Sequence, residues 1–367
     1  MIKNCYIHIP FCDRICSYCD FCKMLKYDKF VDDYLIALEK EIKYFYKGEE
    51  LETIYIGGGT PSSLNLKQLE KLFDILSIFK KSKNIEYTIE GNFESTSKEK
   101  LDLYKKVGIN RLSFGIETIN KNGLELLDRS IDLDKIEEVI KYSRSIGFNN
   151  INVDLIYALP KESIKDLKKD LDYIYSLDLE HISTYSLIIE NHTKLKILDT
   201  KNIDEDLDYD MYKYICDNMK KHGYIHYEIS NFAKEGYESK HNTCYWDNSN
   251  YYGFGLGASS YIENRRTTNT RSLNNYMEER YPKEIEYLDK YDTMEYEVIL
   301  NLRKKDGIDL IKFKDKYDID LINVFNYTDL IVMGLLRLDN NHIYIPEDKW
   351  YISNSIIIDI IKRRVYG

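Results

Sequence analysis

Short runs rich in β-branched and aromatic residues alternate with longer runs of helical period through the first half of this 367-residue chain. This alternation is typical of βαβ units around a parallel sheet, and it restricts the fold more than any other feature of the sequence. The predicted strands are Cys5 to Ile9, Glu52 to Gly57, Glu86 to Gly91, Arg111 to Ile116, Ile151 to Tyr157 and Ile182 to Ile188. The predicted helices are Tyr27 to Tyr46, Leu66 to Lys80, Lys98 to Val107, Leu133 to Ile146 and Ile164 to Tyr175. Six such units predict an α/β fold, a partial (β/α)6 barrel with its chemistry at the carboxyl ends of the strands.

The pattern changes after Gly223, where extra strands, the glycine-rich segment "YYGFGLGASSY" and a polar connector follow. The last part of the chain predicts a small helical domain with a hairpin-like "HIYIPEDKWYIS". We expect a partial barrel over residues 1–225, a barrel extension and connector over 226–285, and a C-terminal domain over 286–367 with a winged-helix-like order. Winged helices often bind DNA, but the mixed charges here favour packing or the docking of a partner.

The chain is acidic, with 62 Asp and Glu residues against 52 Lys and Arg residues and a formal charge of -10. This composition argues against sequence-independent binding of nucleic acid, which needs a positive surface. The start "MIKNCYIHIP" lacks the apolar core of an export signal, and no later stretch approaches the length of a membrane span. We therefore expect a cytoplasmic protein whose cysteines bind metal or act in redox chemistry rather than form disulfides.

Five of the seven cysteines lie in the segment "CYIHIPFCDRICSYCDFC". Cys12, Cys16 and Cys19 have the spacing CxxxCxxC and come directly after the first predicted strand. Thiolates are the usual ligands of iron–sulfur clusters, and three thiolates leave one iron of a cubane open to a small molecule. The alternative is a zinc site made from the same thiolates, although the second CxxC pair of a zinc ribbon is missing.

This cysteine spacing, with Tyr18 before the last cysteine and a six-fold β/α pattern around it, resembles the radical S-adenosylmethionine superfamily. The resemblance implies that Cys12, Cys16 and Cys19 bind a [4Fe–4S] cluster. It also implies that the fourth iron of the cluster binds the amino and carboxylate groups of S-adenosylmethionine. Electron transfer from the cluster to this cofactor then yields a 5'-deoxyadenosyl radical in the superfamily.

Residues at the ends of later strands agree with this resemblance. The glycines of "GGGTP", which begins at Gly57, allow the backbone to approach the methionine amino group closely. Glu90 is placed to bind a ribose diol, although such a residue alone is more often a solvated surface acid. Asp154 lies among apolar strand residues, and a buried carboxylate without a partner is costly. We therefore expect Asp154 to contact a ligand or Arg129.

The motifs "YIHIPFC", "GGGTPS", "RLSFGIET", "DRS", "NVDLIYALP" and "STYSLIIENHT" resemble, in order, the HemN/HemW group of this superfamily. The group contains coproporphyrinogen III dehydrogenases and HemW-type haem chaperones. The chaperones are favoured because the chain starts just before the first strand and because "CDF" replaces the CxC of the dehydrogenases. They are favoured most by HNxxYW at His241, Asn242, Tyr245 and Trp246, which resembles the chaperone signature implicated in haem binding.

The resemblance also implies a set of ligand contacts. S-adenosylmethionine is expected to contact Tyr6, Tyr18, Gly58, Gly59, Thr60, Glu90, Arg129, Asp154 and Ile188. Haem is expected to bind His241, because imidazole is a common axial ligand of haem iron. The alternative for His241 is a hydrogen-bonded structural histidine. Cys22 is predicted to be a free thiol, because a fourth thiolate would block S-adenosylmethionine.

Two residues depart from the pattern of the group. Glu117 stands where the group usually has glutamine, which puts an anion near the cofactor region and argues against a second S-adenosylmethionine site. Ala158 replaces a glycine, and we expect this change to be tolerated.

We therefore expect a haem chaperone that carries a [4Fe–4S] cluster and S-adenosylmethionine. Its expected partners are haem, haem-accepting proteins and an electron donor. One alternative is a radical enzyme that acts on a porphyrin or porphyrinogen, such as a coproporphyrinogen III dehydrogenase. Another is a redox or iron–sulfur module that no longer uses radical chemistry.

Overall fold

The computed structural model describes residues 2–365 of the chain. The strands up to residue 186 are β1 (Asn4–Ile9), β2 (Phe11–Cys12), β3 (Met24–Leu25), β4 (Glu50–Gly58), β5 (Lys80–Gly91), β6 (Arg111–Glu117), β7 (Ile151–Tyr157) and β8 (His181–Ser186). The helices of the same part are α1 (Asp28–Phe45), α2 (Leu66–Leu76), α3 (Lys98–Lys106), α4 (Lys121–Leu126), α5 (Leu133–Ser145) and α6 (Ile164–Ser176).

The middle of the chain contains α7 (Lys194–Ile197), α8 (Glu205–Lys221), β9 (Ile225–Glu228), β10 (Asn231–Ala233), α9 (Lys240–Trp246), β11 (Tyr251–Phe254), β12 (Ser259–Ile262), β13 (Arg265–Asn269), α10 (Leu273–Met277) and β14 (Pro282–Tyr287). The C-terminal part contains α11 (Lys290–Asn301), β15 (Ile308–Asp309), α12 (Leu310–Tyr317), α13 (Thr328–Val332), β16 (Arg337–Asp339), β17 (His342–Tyr344) and α14 (Ser353–Lys362). Single 3-10 turns lie at Pro61–Ser63, Leu321–Asn323 and Glu347–Ile352.

One twelve-stranded sheet runs in the order β14-β13-β12-β11-β1-β4-β5-β6-β7-β8-β10-β9. The six neighbouring strands from β1 to β8 in this order pair in parallel, which confirms the predicted partial barrel with added strands. β11 extends the parallel part next to β1, and β12 to β14 continue antiparallel. Parallel strands direct their carboxyl ends to one edge, so β1, β4, β5, β6 and β7 deliver their last residues to the same side of the sheet.

The helices pack on this sheet through amphipathic faces, as α1 shows. Val31, Leu35, Leu38 and Ile42 are fully buried and recur at intervals of three or four residues, the spacing of one helix face. The start of α2 is fixed by Asn65, whose side chain accepts a hydrogen bond from the backbone of Gln68 in a capping box.

Several predicted element boundaries differ from the structure; the start of β5, for example, lies at Lys80 rather than at Glu86. The helix predicted from Leu66 to Lys80 ends at Leu76, because Lys80 already belongs to β5 and pairs with Glu50 of β4. The last predicted barrel strand ends at Ser186, so Ile188 lies in the loop that follows β8.

The C-terminal part has its own apolar core, built around side chains such as Val298, Leu330 and Ile357. Its three-stranded sheet has the order β15-β17-β16. The hairpin lies earlier than "HIYIPEDKWYIS": β16 and β17 pair across Asn340 and Asn341, both in the left-handed conformation that a tight hairpin turn requires. No helix within residues 2–365 is long and apolar enough to cross a membrane.

Candidate functional site

The three cysteines predicted to hold a cluster lie on the loop that follows β1. Cys12 is buried in the short strand β2, and Cys16 and Cys19 are half-buried in the turn beyond it. The hydroxyl of Thr60 donates to Sγ of Cys12 at 3.5 Å. Burial raises the pKa of the Cys12 thiol to about 11, and the thiols of Cys19 and Cys16 add to the rise. The three thiols therefore lie near one another on one loop, and burial raises the pKa of each of them.

This donor set fits an iron–sulfur cluster. Within residues 2–365 no three His, Cys, Asp or Glu side chains are grouped closely enough for a single ion. The fit therefore depends on the chemistry of the donors, which are thiols on one loop, and on the room that the neighbouring glycines leave. A Cβ atom on Gly59 would lie 2.9 Å from Sγ of Cys12 and 2.8 Å from the backbone of Pro10. A side chain at this position would clash with Cys12 or with the backbone of Pro10.

The glycine run at the end of β4 is required by close packing. Gly58 has a φ of 122°, a conformation that side chains rarely adopt, and a Cβ atom there would lie 2.7 Å from the ring of His8. The imidazole of His8 bridges the hydroxyl of Tyr6, at 2.9 Å, and the carbonyl oxygen of Cys22, at 2.7 Å. The β4 end thus packs directly against the loop of the cysteines.

Glu90 is held at the end of β5 by two donors. The Tyr55 hydroxyl donates to one carboxylate oxygen at 2.7 Å, and the backbone N–H of Gly58 donates to the other at 3.0 Å. Burial raises the pKa of Glu90 to about 7. Glu90 is therefore a buried and oriented carboxyl group rather than a solvated surface acid.

Glu117, Arg129 and Tyr18 form a buried cluster next to the cysteine loop. The Arg129 guanidinium pairs with the Glu117 carboxylate at 3.0 Å, and both side chains are less than one-tenth exposed. The Tyr18 hydroxyl donates to the other oxygen of Glu117 at 2.9 Å. Arg129 also donates to the carbonyl oxygen of Gly115 at 2.9 Å and lies 4.0 Å from Sγ of Cys16. Burial raises the pKa of Glu117, and the charge of Arg129 opposes this rise.

Asp154 and Ile188 complete the predicted cofactor contacts. Asp154 accepts a hydrogen bond of 2.9 Å from Asn152, while Arg129 has Glu117, not Asp154, as its ion-pair partner. Contact between Asp154 and a ligand stays a prediction. Ile188 lies beyond the end of β8 and is 67% exposed.

Arg111 is a residue that the sequence analysis did not single out. It opens β6 and is 1% exposed, among the largest fully buried side chains. Burial raises the pKa of Glu90 and of Asp154, and the positive charge of Arg111 counteracts both shifts. A charged residue at the start of a mostly apolar strand was the sequence signal that could have indicated a buried arginine here.

His241 lies on α9 beneath β4 and is 1% exposed. Its Nδ1 lies 2.7 Å from the hydroxyl oxygen of Thr53, which itself donates to Asn4, so Nδ1 carries the proton and donates to Thr53. Nε2 therefore has the lone pair and accepts from the Tyr245 hydroxyl at 2.8 Å. Burial lowers the pKa of His241 to about 3, and its ring stacks on Tyr55 at 5.1 Å.

The two other cysteines of the opening segment differ in environment. Cys5 is fully buried in β1, as expected for a small apolar residue. Cys22 is half-buried and lies on the wall of a cavity together with Arg271 and Tyr245. Burial raises the pKa of Cys22, and the adjacent Arg271 opposes this rise.

Comparison with known proteins identifies the family. Residues 6–174 match the Radical SAM superfamily, and residues 288–348 match the HemN C-terminal domain. The chain is 39% identical to "Heme chaperone HemW" of Bacillus subtilis (strain 168), over 97% of this chain and 98% of that protein. It is 37% identical to "Heme chaperone HemW" of Lactococcus lactis subsp. lactis (strain IL1403), over 96% of each.

A solved structure agrees on the fold. Coproporphyrinogen III oxidase (HemN) from Escherichia coli superposes with a TM-score of 0.86 at 23% identity, over 98% of this chain and 90% of that chain. At this identity the likeness concerns the fold. The relatives that cover almost the whole chain decide the family: this chain belongs to the HemW family of the radical SAM superfamily.

Proposed function

We propose that the chain is a haem chaperone that binds haem and transfers it to acceptor proteins. The observation that carries the proposal is the match along 96–97% of the chain to two proteins named Heme chaperone HemW. The HNxxYW motif supports it, because the motif has a neutral imidazole whose lone pair points toward a side chain on a cavity wall. Haem-accepting proteins and an electron donor are then its partners.

We propose that Cys12, Cys16 and Cys19 hold a [4Fe–4S] cluster. When bound, this cluster supplies an electron to S-adenosylmethionine. Glu90 orients a ribose diol, since Tyr55 and Gly58 fix both of its oxygens. The remaining contacts to S-adenosylmethionine are proposed for Tyr6, Tyr18, Gly58, Gly59, Thr60, Arg129, Asp154 and Ile188.

The proposed haem ligand is Nε2 of His241. A neutral imidazole is the form that binds metal, and a pKa of about 3 keeps this ring neutral at physiological pH. Nε2 is covered by the hydroxyl of Tyr245, which lies on the cavity wall. Rotation of Tyr245 away from His241 would uncover this atom, and Nε2 would then be able to hold a haem iron.

The test begins with anaerobic reconstitution of the cluster in the full chain. Haem is titrated into the protein, and the absorbance of bound haem is followed until it saturates. The loaded protein is then mixed with an apo-haem protein, whose own haem spectrum reports transfer. We expect saturation at about one haem per chain, followed by loss of haem to the acceptor. Failure to saturate would contradict the proposal.

A further inference from the structure

A cavity of about 390 Å³ lies between the cysteine loop, the end of α9 and β13, and it is open on one side. Phe21 and Cys22 of the cysteine loop form one wall, and Tyr245 at the end of α9 forms another. Arg266 on β13 and Arg271, which follows β13, complete it. A volume of this size is typical of sites for organic ligands.

The charge of the cavity is opposite to that of the protein. The chain has ten more acidic than basic residues, yet no Asp or Glu lines the cavity, whereas Arg266 and Arg271 both do. Among residues 2–365 neither arginine forms an ion pair with a carboxylate. Two cations without an anionic partner in one cavity indicate an anionic ligand.

Both guanidinium groups are held in place by neutral contacts. Arg266 donates to the side-chain oxygen of Asn248 at 2.7 Å, and its guanidinium lies 4.2 Å from the ring centres of Tyr261 and Tyr296. Arg271 donates to the carbonyl oxygen of Asp20 at 2.8 Å. These contacts orient the arginines without pairing them with a carboxylate, so each can still bind an anionic group of a ligand.

The rest of the wall suits a flat ring. Tyr245, Tyr251, Leu300 and Phe21 contribute aromatic or apolar surface, and Phe21 at the rim is 70% exposed. Aromatic side chains bury ring surface of this kind effectively. The cavity therefore combines apolar walls with two positive groups, which is the complement of an aromatic dicarboxylate.

We propose that this cavity binds haem, with its two propionate carboxylates on Arg266 and Arg271 and its macrocycle against the aromatic side chains. The proposal rests on the proposed function and adds the location of the haem and the charges that hold it. Arginine matches a carboxylate with two parallel hydrogen bonds, so each propionate gains a specific partner. Tyr245 links this cavity to Nε2 of His241, which places the proposed iron ligand next to the same ligand.

The test compares haem with haem dimethyl ester, in which the propionates are uncharged. Both are titrated anaerobically into the reconstituted full chain and into Arg266→Gln, Arg271→Gln and the control Arg265→Gln. Arg265 neighbours Arg266 on β13 but points to the opposite face of the strand and does not line the cavity. Arg271 is exposed, so its variant should fold even if Arg266→Gln does not.

We expect the wild type and Arg265→Gln to bind haem at least about tenfold more tightly than its ester. Arg271→Gln should lose about tenfold in affinity for haem and should bind the ester as the wild type does. If the wild type binds haem and Arg271→Gln binds it equally well, the cavity assignment is overturned while the chaperone proposal stands. If the wild type binds neither compound, the proposed function itself fails. A third outcome is that inorganic phosphate inhibits haem binding while haem and its dimethyl ester bind equally well. The cavity would then be a general anion site, and the assignment would be overturned.

Discussion

The hydroxyl of Tyr245 donates a hydrogen bond of 2.8 Å to Nε2 of His241, and this bond covers the lone pair that a haem iron would use. Both residues belong to HNxxYW, so the motif contains the proposed ligand atom together with the hydroxyl group that covers it. His241 is at the same time a buried structural residue, because Thr53 and Tyr245 both depend on it for a hydrogen bond.

Tyr245→Phe is expected to increase haem affinity by about fivefold, because it removes a competing hydrogen bond of about 1 kcal/mol and uncovers Nε2. Haem titration of the anaerobic protein measures the change.

His241→Ala should abolish the spectrum of imidazole-ligated haem and also lower the free energy of unfolding by about 2–4 kcal/mol, since it opens a cavity and leaves Thr53 without its partner. His342→Ala, at a partly exposed histidine, is the control. An unchanged haem spectrum in His241→Ala would exclude this ligand.

Glu117→Gln is expected to tighten S-adenosylmethionine binding by about tenfold. The substitution removes an anion from the cofactor region and frees the Arg129 guanidinium, now 3.0 Å from Glu117, for the carboxylate of the ligand. Equilibrium dialysis of the reconstituted protein measures the affinity. The exposed Glu125→Gln on α4 is the matched control. Equal affinities for Glu117→Gln and the wild type would show that Arg129 does not contact the cofactor.

Cys16→Ala is expected to lose most of the iron and sulfide of the reconstituted cluster, and Cys22→Ala is expected to keep both. The reason is that Cys12, Cys16 and Cys19 are the proposed thiolate ligands, whereas Cys22 lies on the wall of the cavity with Arg271. Iron analysis and electron paramagnetic resonance of the two variants measure the difference. A cluster that is lost in Cys22→Ala would mean a fourth protein ligand and would contradict an open iron.

Glu41 is expected to make the protein less stable as the pH rises from about 5 to 8. Burial raises its pKa to about 7, against hydrogen bonds from Tyr276, Gly255 and Asn269. A carboxyl group whose pKa is higher in the folded protein stabilises the fold while it is protonated, and this contribution is lost as the pH passes the folded value.

Urea unfolding of the wild type and of Glu41→Gln at pH 5 and pH 8 tests the effect. The loss of stability between the two pH values should be smaller in the variant by up to roughly 3 kcal/mol. Identical pH dependence in the two proteins would show that Glu41 does not titrate in this range.

The barrel could be predicted from sequence because its strands and helices have strong local patterns. β7, for example, was predicted with both ends correct, since its apolar run is bounded by turn residues. The end of α2 could not be placed, because it depends on the pairing of Lys80 with Glu50, which lies on another strand. The turn at Asn340 and Asn341 is a local hairpin signal that the sequence analysis missed.

From the sequence, only residues that belong to a recognisable motif could be assigned to the site. The glycine run was expected at the cofactor, yet its packing against His8 and Cys12 depends on the approach of two strands. Arg111, Arg266 and Arg271 carry no motif, and their roles depend on which charges the fold brings near them. The pairing of Glu117 with Arg129 likewise appears only when β6 and the loop after α4 are placed together.

The most direct test of the chaperone proposal measures two quantities in one anaerobic preparation of the reconstituted chain. The first is the haem bound per chain, and the second is the CO₂ released from coproporphyrinogen III with S-adenosylmethionine and a reductant. We expect about one haem per chain and no CO₂ above the level of a Cys16→Ala control. Sustained CO₂ release with no saturable haem binding would contradict the chaperone proposal and identify a decarboxylating enzyme instead.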